Sequence, residues 1–218
     1  KVTEESVYKY SNNGKSPLRE ACIIEGKPYF IKYSTGKDDK DYIAVEPYIQ
    51  EETRKLIPPY EEEYPYDRYI FKDGTEVTYY LDRAKKETIH TLYQKIKKML
   101  KLFNDIDEDL LSLFSATVLG SYFQDRFSTV YYIVVVGDNR TGKSAIADTF
   151  AALGYRVVVM TNPTKAIWYR VLGPIEYGQV TLVADESEGI EESPEIMSIL
   201  KDGYQTKHRV PRMDNDNK

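Results

Sequence analysis

The spacing of apolar residues divides the chain into three parts. Residues 1–83 carry short apolar runs separated by turn-forming residues, a pattern typical of strands. Residues 84–128 carry apolar side chains at three- and four-residue steps, which predicts helices. From residue 129 to residue 218, short continuous apolar runs alternate with helical patterns. We therefore expect a small β-rich or mixed accessory segment, a helical connector and an α/β core, in that order.

Two hairpins are predicted in the first part. Ala21–Ile24 and Tyr29–Tyr33 flank a turn that contains Gly26. Tyr69–Phe71 and Glu76–Leu81 flank an Asp-Gly turn, which tolerates positive φ and is typical of two-residue hairpin connections. No chemistry can be assigned to these residues from their pattern.

The second part predicts two helices, Lys85–Phe103 and roughly Asp107–Phe123. Acidic residues at the start of the second helix suit the positive end of its dipole. Lysines stand between the apolar positions of the first helix, and we interpret them as a solvated helix face. Contact with phosphate groups is the alternative for these four lysines: Lys95, Lys97, Lys98 and Lys101.

The third part predicts three strands and the helices between them. Val130–Val136, Tyr155–Met160 and Val180–Ala184 are near-continuous apolar runs, as expected for strands buried on both faces of a parallel sheet. Thr141–Leu153, Pro163–Leu172 and Ser193–Leu200 read as helices. Alternation of this kind predicts the α/β class, with a parallel sheet inside a three-layer sandwich.

Composition narrows the class of protein. Of the 218 residues, 41% are hydrophobic and 30% are charged, which is typical of a globular chain. The formal net charge of −5 does not indicate a nucleic-acid partner, so DNA contact must rest on a local basic patch. A single cysteine, Cys22, excludes an intrachain disulfide, and no apolar run approaches the roughly 20 residues that span a membrane. We expect a cytoplasmic protein with no membrane partner.

A phosphate-binding motif follows the first predicted strand of the core. The string G-x-x-x-x-G-K-[ST] is matched by Gly137, Asp138, Asn139, Arg140, Thr141, Gly142, Lys143 and Ser144. Backbone N–H groups of such a loop surround the β-phosphate, and the following helix adds a partial positive charge. Lys143 is expected to reach the β- and γ-phosphates, while the Ser144 hydroxyl is a Mg²⁺ ligand. The motif predicts ATP and Mg²⁺ as cofactors and a P-loop NTPase sandwich as the fold.

An acidic pair ends the third predicted strand. Asp185 and Glu186 come directly after Val180–Ala184. P-loop hydrolases need a second acid at a neighbouring strand end. We expect Asp185 to hold Mg²⁺, usually through water. Glu186 is expected to be the catalytic base that polarises the attacking water, and Lys143 is the second catalytic residue. The pair suits an ATPase, and the chain has no Asn-Lys-x-Asp string for guanine recognition.

Together these motifs resemble P-loop ATPase domains of the AAA+ and superfamily-3 helicase kind. The resemblance is to domains fused to primases or polymerases in archaeal and mobile-element (plasmid or virus) replication proteins. It rests on Gly137–Ser144, on Ala184–Glu186, and on Leu200–Tyr204 leading to His208–Arg212; the helical stretch Leu102–Phe127 also looks similar. It covers roughly residues 100–218.

The resemblance implies a ring-forming motor, typically a hexamer, with ATP between subunits. It also implies that sensor and finger residues lie on elements later than those visible here. In related motors the segment after the acidic pair lines the central pore and grips DNA. Basic side chains would neutralise phosphates and a tyrosine would stack on a base of single-stranded DNA. The candidate DNA contacts are Tyr204, Lys207, Arg209 and Arg212; a surface turn with scattered charge is the alternative.

The function expected from these residues is that of a DNA helicase or translocase in replication, with ATP hydrolysis coupled to movement. Two other classes of P-loop protein stay open. One is a non-motor ATPase that acts as a switch or loader, and the other is a phosphotransferase. A phosphotransferase would carry a lid with paired arginines, and the sequence shows no such lid.

Overall fold

The computed structural model describes eight stretches of the chain, namely residues 2–11, 18–35, 41–59, 69–138, 140–164, 166–168, 180–185 and 193–203. The chain divides into two compact units, residues 1–92 and residues 93–218. The division of the sequence at residues 83 and 128 stays a prediction.

The first unit contains two sheets and a helix. Its elements are β1 (Thr3–Ser6), β2 (Lys9–Tyr10), β3 (Arg19–Ile24), β4 (Lys27–Thr35), β5 (Asp41–Glu46), β6 (Ile49–Gln50), β7 (Arg54–Ile57), β8 (Ile70–Phe71) and α1 (Gly74–Ala84). One sheet has the order β2-β3-β4-β5, and β8 pairs in parallel with β3. The other sheet is β1-β7-β6, in which β1 and β7 are parallel.

The first predicted hairpin is confirmed. Strands β3 and β4 pair antiparallel across a turn at Glu25 and Gly26. Both turn residues have positive φ, 53° and 73°, as a type I′ hairpin turn requires; the twist of this turn matches the right-handed twist of the flanking strands. Alternate side chains of these strands, Cys22 and Ile31 among them, are buried in a core that also includes Val77 of α1.

The second predicted hairpin is wrong. Its turn and second strand are instead the start and body of α1. The Asp73 side chain accepts a hydrogen bond from the Glu76 backbone N–H at 3.0 Å, and a Glu76 carboxylate oxygen accepts from the Lys72 N–H at 2.6 Å. This reciprocal capping satisfies two N–H groups at the helix start, which favours helix over turn.

The second unit contains helices and a small sheet. Its elements are α2 (Ile89–Phe103), α3 (Glu108–Ser121), a 3₁₀ turn (Gln124–Arg126), α4 (Lys143–Leu153), β9 (Val157–Thr161), β10 (Thr181–Asp185) and α5 (Pro194–Gly203). All helices predicted at these positions are confirmed within a few residues. Asp107 caps α3 by accepting from the Leu110 N–H at 2.8 Å, in addition to the dipole effect expected of acidic residues there.

The predicted three-layer P-loop sandwich with a parallel sheet is wrong. In the part of the second unit that the structure describes, the parallel sheet has two strands, β9 and β10. Both strands are half-buried rather than buried on both faces. Residues 130–136, predicted as a central strand, form no strand, and Val134 and Val136 are 79% and 86% exposed. With its other sheets antiparallel or mixed, the chain is a mixed α and β protein.

Residues 130–136 form no strand because a high strand propensity is not sufficient without a neighbouring strand to pair with. β-branched residues favour extended backbone, but their contribution depends on cross-strand packing and on paired N–H and C=O groups. Residues 130–136 are held by side chains instead. The Tyr131 hydroxyl lies 2.8 Å from Thr117 Oγ1, and the Tyr132 hydroxyl donates to the Leu200 carbonyl at 2.9 Å.

Two apolar clusters organise the second unit. Leu100, Leu111 and Phe114 are buried where α2, α3 and α4 meet. Met160 and Trp168 are buried with two isoleucines of α5, beside partly buried residues of β9 and β10. Helix α4 also packs on β9 and β10. The helix that follows the phosphate motif is therefore held between a helical pair and the parallel strands.

Candidate nucleotide-binding site

The phosphate motif forms a loop that closes around its own lysine. The Lys143 ammonium donates to the Gly137 carbonyl at 2.5 Å and to the Asp138 carbonyl at 2.7 Å. The Thr141 hydroxyl donates to the same Asp138 carbonyl at 2.8 Å. Three contacts thus draw the start of the loop against the first residue of α4. They hold the Lys143 ammonium, the charge predicted to bind phosphate, against the start of the loop.

Backbone conformation explains where the motif needs glycine. Gly142 precedes α4 with φ of 88°, a left-handed conformation that costs a residue with a β-carbon. Arg140 also has positive φ, 68°, without being glycine. At Gly137 the requirement is space, because a β-carbon there would lie 2.8 Å from Thr141 Oγ1. Backbone conformation therefore favours glycine at position 142, and lack of space favours it at position 137.

The start of α4 offers unsatisfied donors. The Ile146 N–H bonds the Gly142 carbonyl at 3.1 Å, so the N–H groups of Lys143, Ser144 and Ala145 have no partner in the helix ladder. Within the described chain, no side chain caps this helix end. Free N–H groups and the positive end of the helix dipole favour a bound anion. Ser144 is exposed in the first turn, as a ligand to an incoming metal ion must be.

The structure places the Asp185 strand beside the phosphate helix. Asp185 is the last residue of β10, and its carbonyl accepts from the Asn162 N–H at 2.9 Å. Because α4 packs on β9 and β10, the phosphate loop and the carboxyl end of β10 belong to one compact unit. Ser144 and Asp185 are the two residues of this unit that would hold Mg²⁺.

Six of the predicted site residues lie outside the described parts of the chain. They include one loop position, the predicted catalytic base and all four candidate DNA contacts: Asn139, Glu186, Tyr204, Lys207, Arg209 and Arg212. Their roles stay predictions.

Two side chains beside the site were not singled out from the sequence. The Asn104 side-chain amide donates to Thr149 Oγ1 at 3.1 Å, in the interior where α2 ends against α4. Asn104 directly follows α2, and a polar residue at that position often satisfies the last carbonyls of a helix. Nothing in the sequence marks Thr149, because a threonine on a helix is typically a neutral surface residue.

The lysine row on α2 is partly neutralised. Lys101 and Lys97 bind the two oxygens of the Glu108 carboxylate at 2.6 and 2.9 Å. Hydrogen bonds from Lys101 and then Lys97 lower the pKa of the Glu108 carboxyl to about 2. These pairs favour the interpretation of the row as a solvated, ion-paired helix face.

Two further observations concern metals and membranes. Among the described residues, no three or more His, Cys, Asp or Glu side chains gather as a metal cluster. The predicted Mg²⁺ site is of another type, with one hydroxyl, one carboxylate, water and phosphate oxygens as ligands. None of the described helices combines the length and apolar composition that crossing a bilayer requires.

Comparison of the chain with protein-family models, curated proteins and solved structures yields no match. The functional argument therefore rests on the loop and its surroundings.

Proposed function

We propose that this chain binds ATP with Mg²⁺ and hydrolyses it, and that hydrolysis is coupled to movement on DNA during replication. The observation that carries the proposal is the contact of the Lys143 ammonium with the Gly137 and Asp138 carbonyls, at a helix start that no side chain of the described residues caps. The resemblance to AAA+ and superfamily-3 helicase domains supports the coupling to DNA.

On ATP binding, the Lys143 ammonium would exchange backbone carbonyl oxygens for phosphate oxygens. In this structure, the Lys143 ammonium donates to two backbone carbonyls. Phosphate oxygens carry full negative charge and form stronger hydrogen bonds with an ammonium than carbonyls do. We expect Lys143 to leave the carbonyls for the β- and γ-phosphates. The N–H groups at the start of α4 then bind phosphate oxygens.

Hydrolysis requires a metal and a base. Ser144 and Asp185 are the residues that would hold Mg²⁺, which neutralises charge on the transferred phosphoryl group. Glu186 follows Asp185 directly, so it is the carboxylate best placed in sequence to polarise the attacking water. Loss of Glu186 should therefore stop turnover while binding persists.

Coupling to DNA rests on the segment after α5. This segment concentrates Lys207, Arg209 and Arg212 in a chain whose formal charge is −5. Lysine and arginine bind phosphates without sequence preference, which suits a motor that moves along a strand. In the ring that the resemblance implies, six copies would surround single-stranded DNA.

The experiment that tests the proposal measures ATP turnover by the chain with and without single-stranded DNA. Lys143→Ala serves as the blank, because it removes the ammonium group that the proposal assigns to the β- and γ-phosphates, together with its contacts to the Gly137 and Asp138 carbonyls. Binding of a fluorescent ATP analogue is measured on the same samples, so that protein that binds ATP without hydrolysing it is distinguished from protein that does not bind ATP.

Each outcome has a defined meaning. Turnover that DNA stimulates and that Lys143→Ala abolishes supports a DNA-coupled motor. Turnover indifferent to DNA retains the ATPase and favours a switch or loader. Binding without turnover contradicts hydrolysis by this chain alone. Equal binding by wild type and Lys143→Ala refutes the nucleotide site.

A further inference from the structure

A chain of hydrogen bonds runs from the end of α2 to the first turn of α4. The Asn104 side-chain amide donates to Thr149 Oγ1 at 3.1 Å, and the Thr149 hydroxyl donates to the Ala145 carbonyl at 2.7 Å. Ala145 is the neighbour of Ser144, the predicted Mg²⁺ ligand. A side chain outside the phosphate motif is therefore linked through two hydrogen bonds to the turn that presents the metal ligand.

The hydrogen-bond pattern determines how the Asn104 amide is oriented. Its nitrogen also donates to the Leu100 carbonyl at 2.9 Å, so both of its contacts are to acceptors. Thr149 Oγ1 accepts here because its proton is used on Ala145. A flipped amide would place two acceptors together, which excludes that alternative.

This contact is polar in surroundings that are otherwise apolar. Asn104 is 7% exposed, and the neighbouring cluster joins Leu100, Leu111 and Phe114 to Ile146 and other apolar residues. Within the described chain, the carbonyl oxygen of the Asn104 side chain has no hydrogen-bond partner. An apolar residue of similar volume would avoid this cost, so stability alone does not explain an asparagine here.

We infer that Asn104 is a positioning residue for the metal-binding turn of α4, acting through Thr149. The inference rests on the proposed nucleotide site. Apolar packing allows α4 to slide or rotate slightly on α2 and α3, because it has little directionality. A directional hydrogen bond selects one register of α4, and hence one position of Ser144 relative to Asp185.

The test uses substitutions that keep the branched shape of each side chain and remove its hydrogen-bonding groups. Asn104→Leu removes the donor, and Thr149→Val removes the hydroxyl. We expect each to raise the Kd for MgATP about tenfold, at the low end of the effect of outer contacts at metal sites. Affinity for ATP in the presence of a chelator should change much less, since the contact positions a metal ligand. The double variant should be no worse than either single variant.

Two controls separate positioning from stability. Thr149→Ser keeps the hydroxyl and should bind MgATP like wild type. Ser115→Ala removes a hydroxyl that is 0% exposed in the same helical pair and bonds the Leu111 carbonyl within α3. It should lower the melting temperature without changing the Kd of folded protein.

The outcomes are distinguishable. Folded variants at Asn104 and Thr149 that bind MgATP as wild type does would overturn the inference and leave the nucleotide site intact. An equal loss of affinity with and without Mg²⁺, or an equal loss in Ser115→Ala, would show a general structural effect and also overturn it. If Asn104→Leu does not fold, the comparison of Thr149→Val with Thr149→Ser decides. Wild type that binds no better than Lys143→Ala refutes both the site and the inference.

Discussion

Replacing Gly137 with alanine tests whether the loop closes as the structure shows. A β-carbon at this position would lie 2.8 Å from Thr141 Oγ1 and 3.7 Å from Thr141 Cβ. The first distance is too short for a carbon and an oxygen, so the Thr141 side chain must rotate. Rotation breaks its hydrogen bond to the Asp138 carbonyl. The strain therefore falls on the turn that the Thr141–Asp138 hydrogen bond holds.

The magnitude follows from the lost contact. A hydrogen bond of this kind contributes about 1 kcal/mol. On the proposed function, ATP binds the turn that the Thr141–Asp138 hydrogen bond holds, so that amount is subtracted from binding. Each 1.4 kcal/mol is about a factor of ten in Kd. We therefore expect Gly137→Ala to weaken ATP binding roughly fivefold. In a Thr141→Ala background the oxygen is absent, so the same change at Gly137 should have almost no effect.

The assay is equilibrium titration with a fluorescent ATP analogue, accompanied by thermal melting. Gly120→Ala is the matched control, because a β-carbon on Gly120 in α3 meets nothing within 4 Å. That control should bind normally and melt at the same or a higher temperature, since alanine favours a helix more than glycine. Equal loss of affinity on changing Gly137 in both backgrounds, or no loss in either, would refute the closed-loop geometry.

Two other changes test neighbouring features. A β-carbon at Gly142 would meet no atom within 4 Å, but alanine there must adopt φ near 88°. We therefore expect Gly142→Ala to lower the unfolding free energy by roughly 1–2 kcal/mol, measured by denaturant titration. Gly142→Asn should lose less, because asparagine tolerates this conformation better. Glu108→Gln tests the ion pairs of Glu108 with Lys101 and Lys97, which lower the pKa of its carboxyl from 4.5 to about 2. A lowered pKa means that these pairs stabilise the fold above pH 4.5 and that this stabilisation is lost as the pH falls through about 2. The melting temperature of wild type should exceed that of Glu108→Gln by a small margin at neutral pH and low salt, and the margin should vanish in strong acid or high salt; a margin that persists there would contradict the electrostatic explanation.

Local signals in the sequence predicted several elements correctly. The turn before Lys27 and the capping residue Asp107 are defined by side chains a few positions away, so no distant contact has to be known. The Asp-Gly pair at Asp73 shows the limit of such signals. The same two residues suit a hairpin turn and a helix start, and Glu76, three positions later, decided for the helix.

The sheet could not be predicted from the apolar runs. Residues 130–136 have strong strand propensity, yet they lie outside any strand and are largely exposed. Pairing needs a partner at the right distance and register, which depends on residues far away along the chain. Propensity therefore identified β9 and β10 and misplaced the run before the phosphate loop.

The sequence by itself determined the phosphate motif, because glycines, a lysine and a serine at that spacing act through local backbone geometry and charge. It also determined helices α2 to α5, whose apolar periodicity is local. Only the tertiary structure decided that the sheet of the second unit joins β9 to β10 and that Asn104 contacts Thr149. Those pairings join residues distant in sequence, and their free energy depends on burial and hydrogen-bond geometry that exist only after the chain has folded.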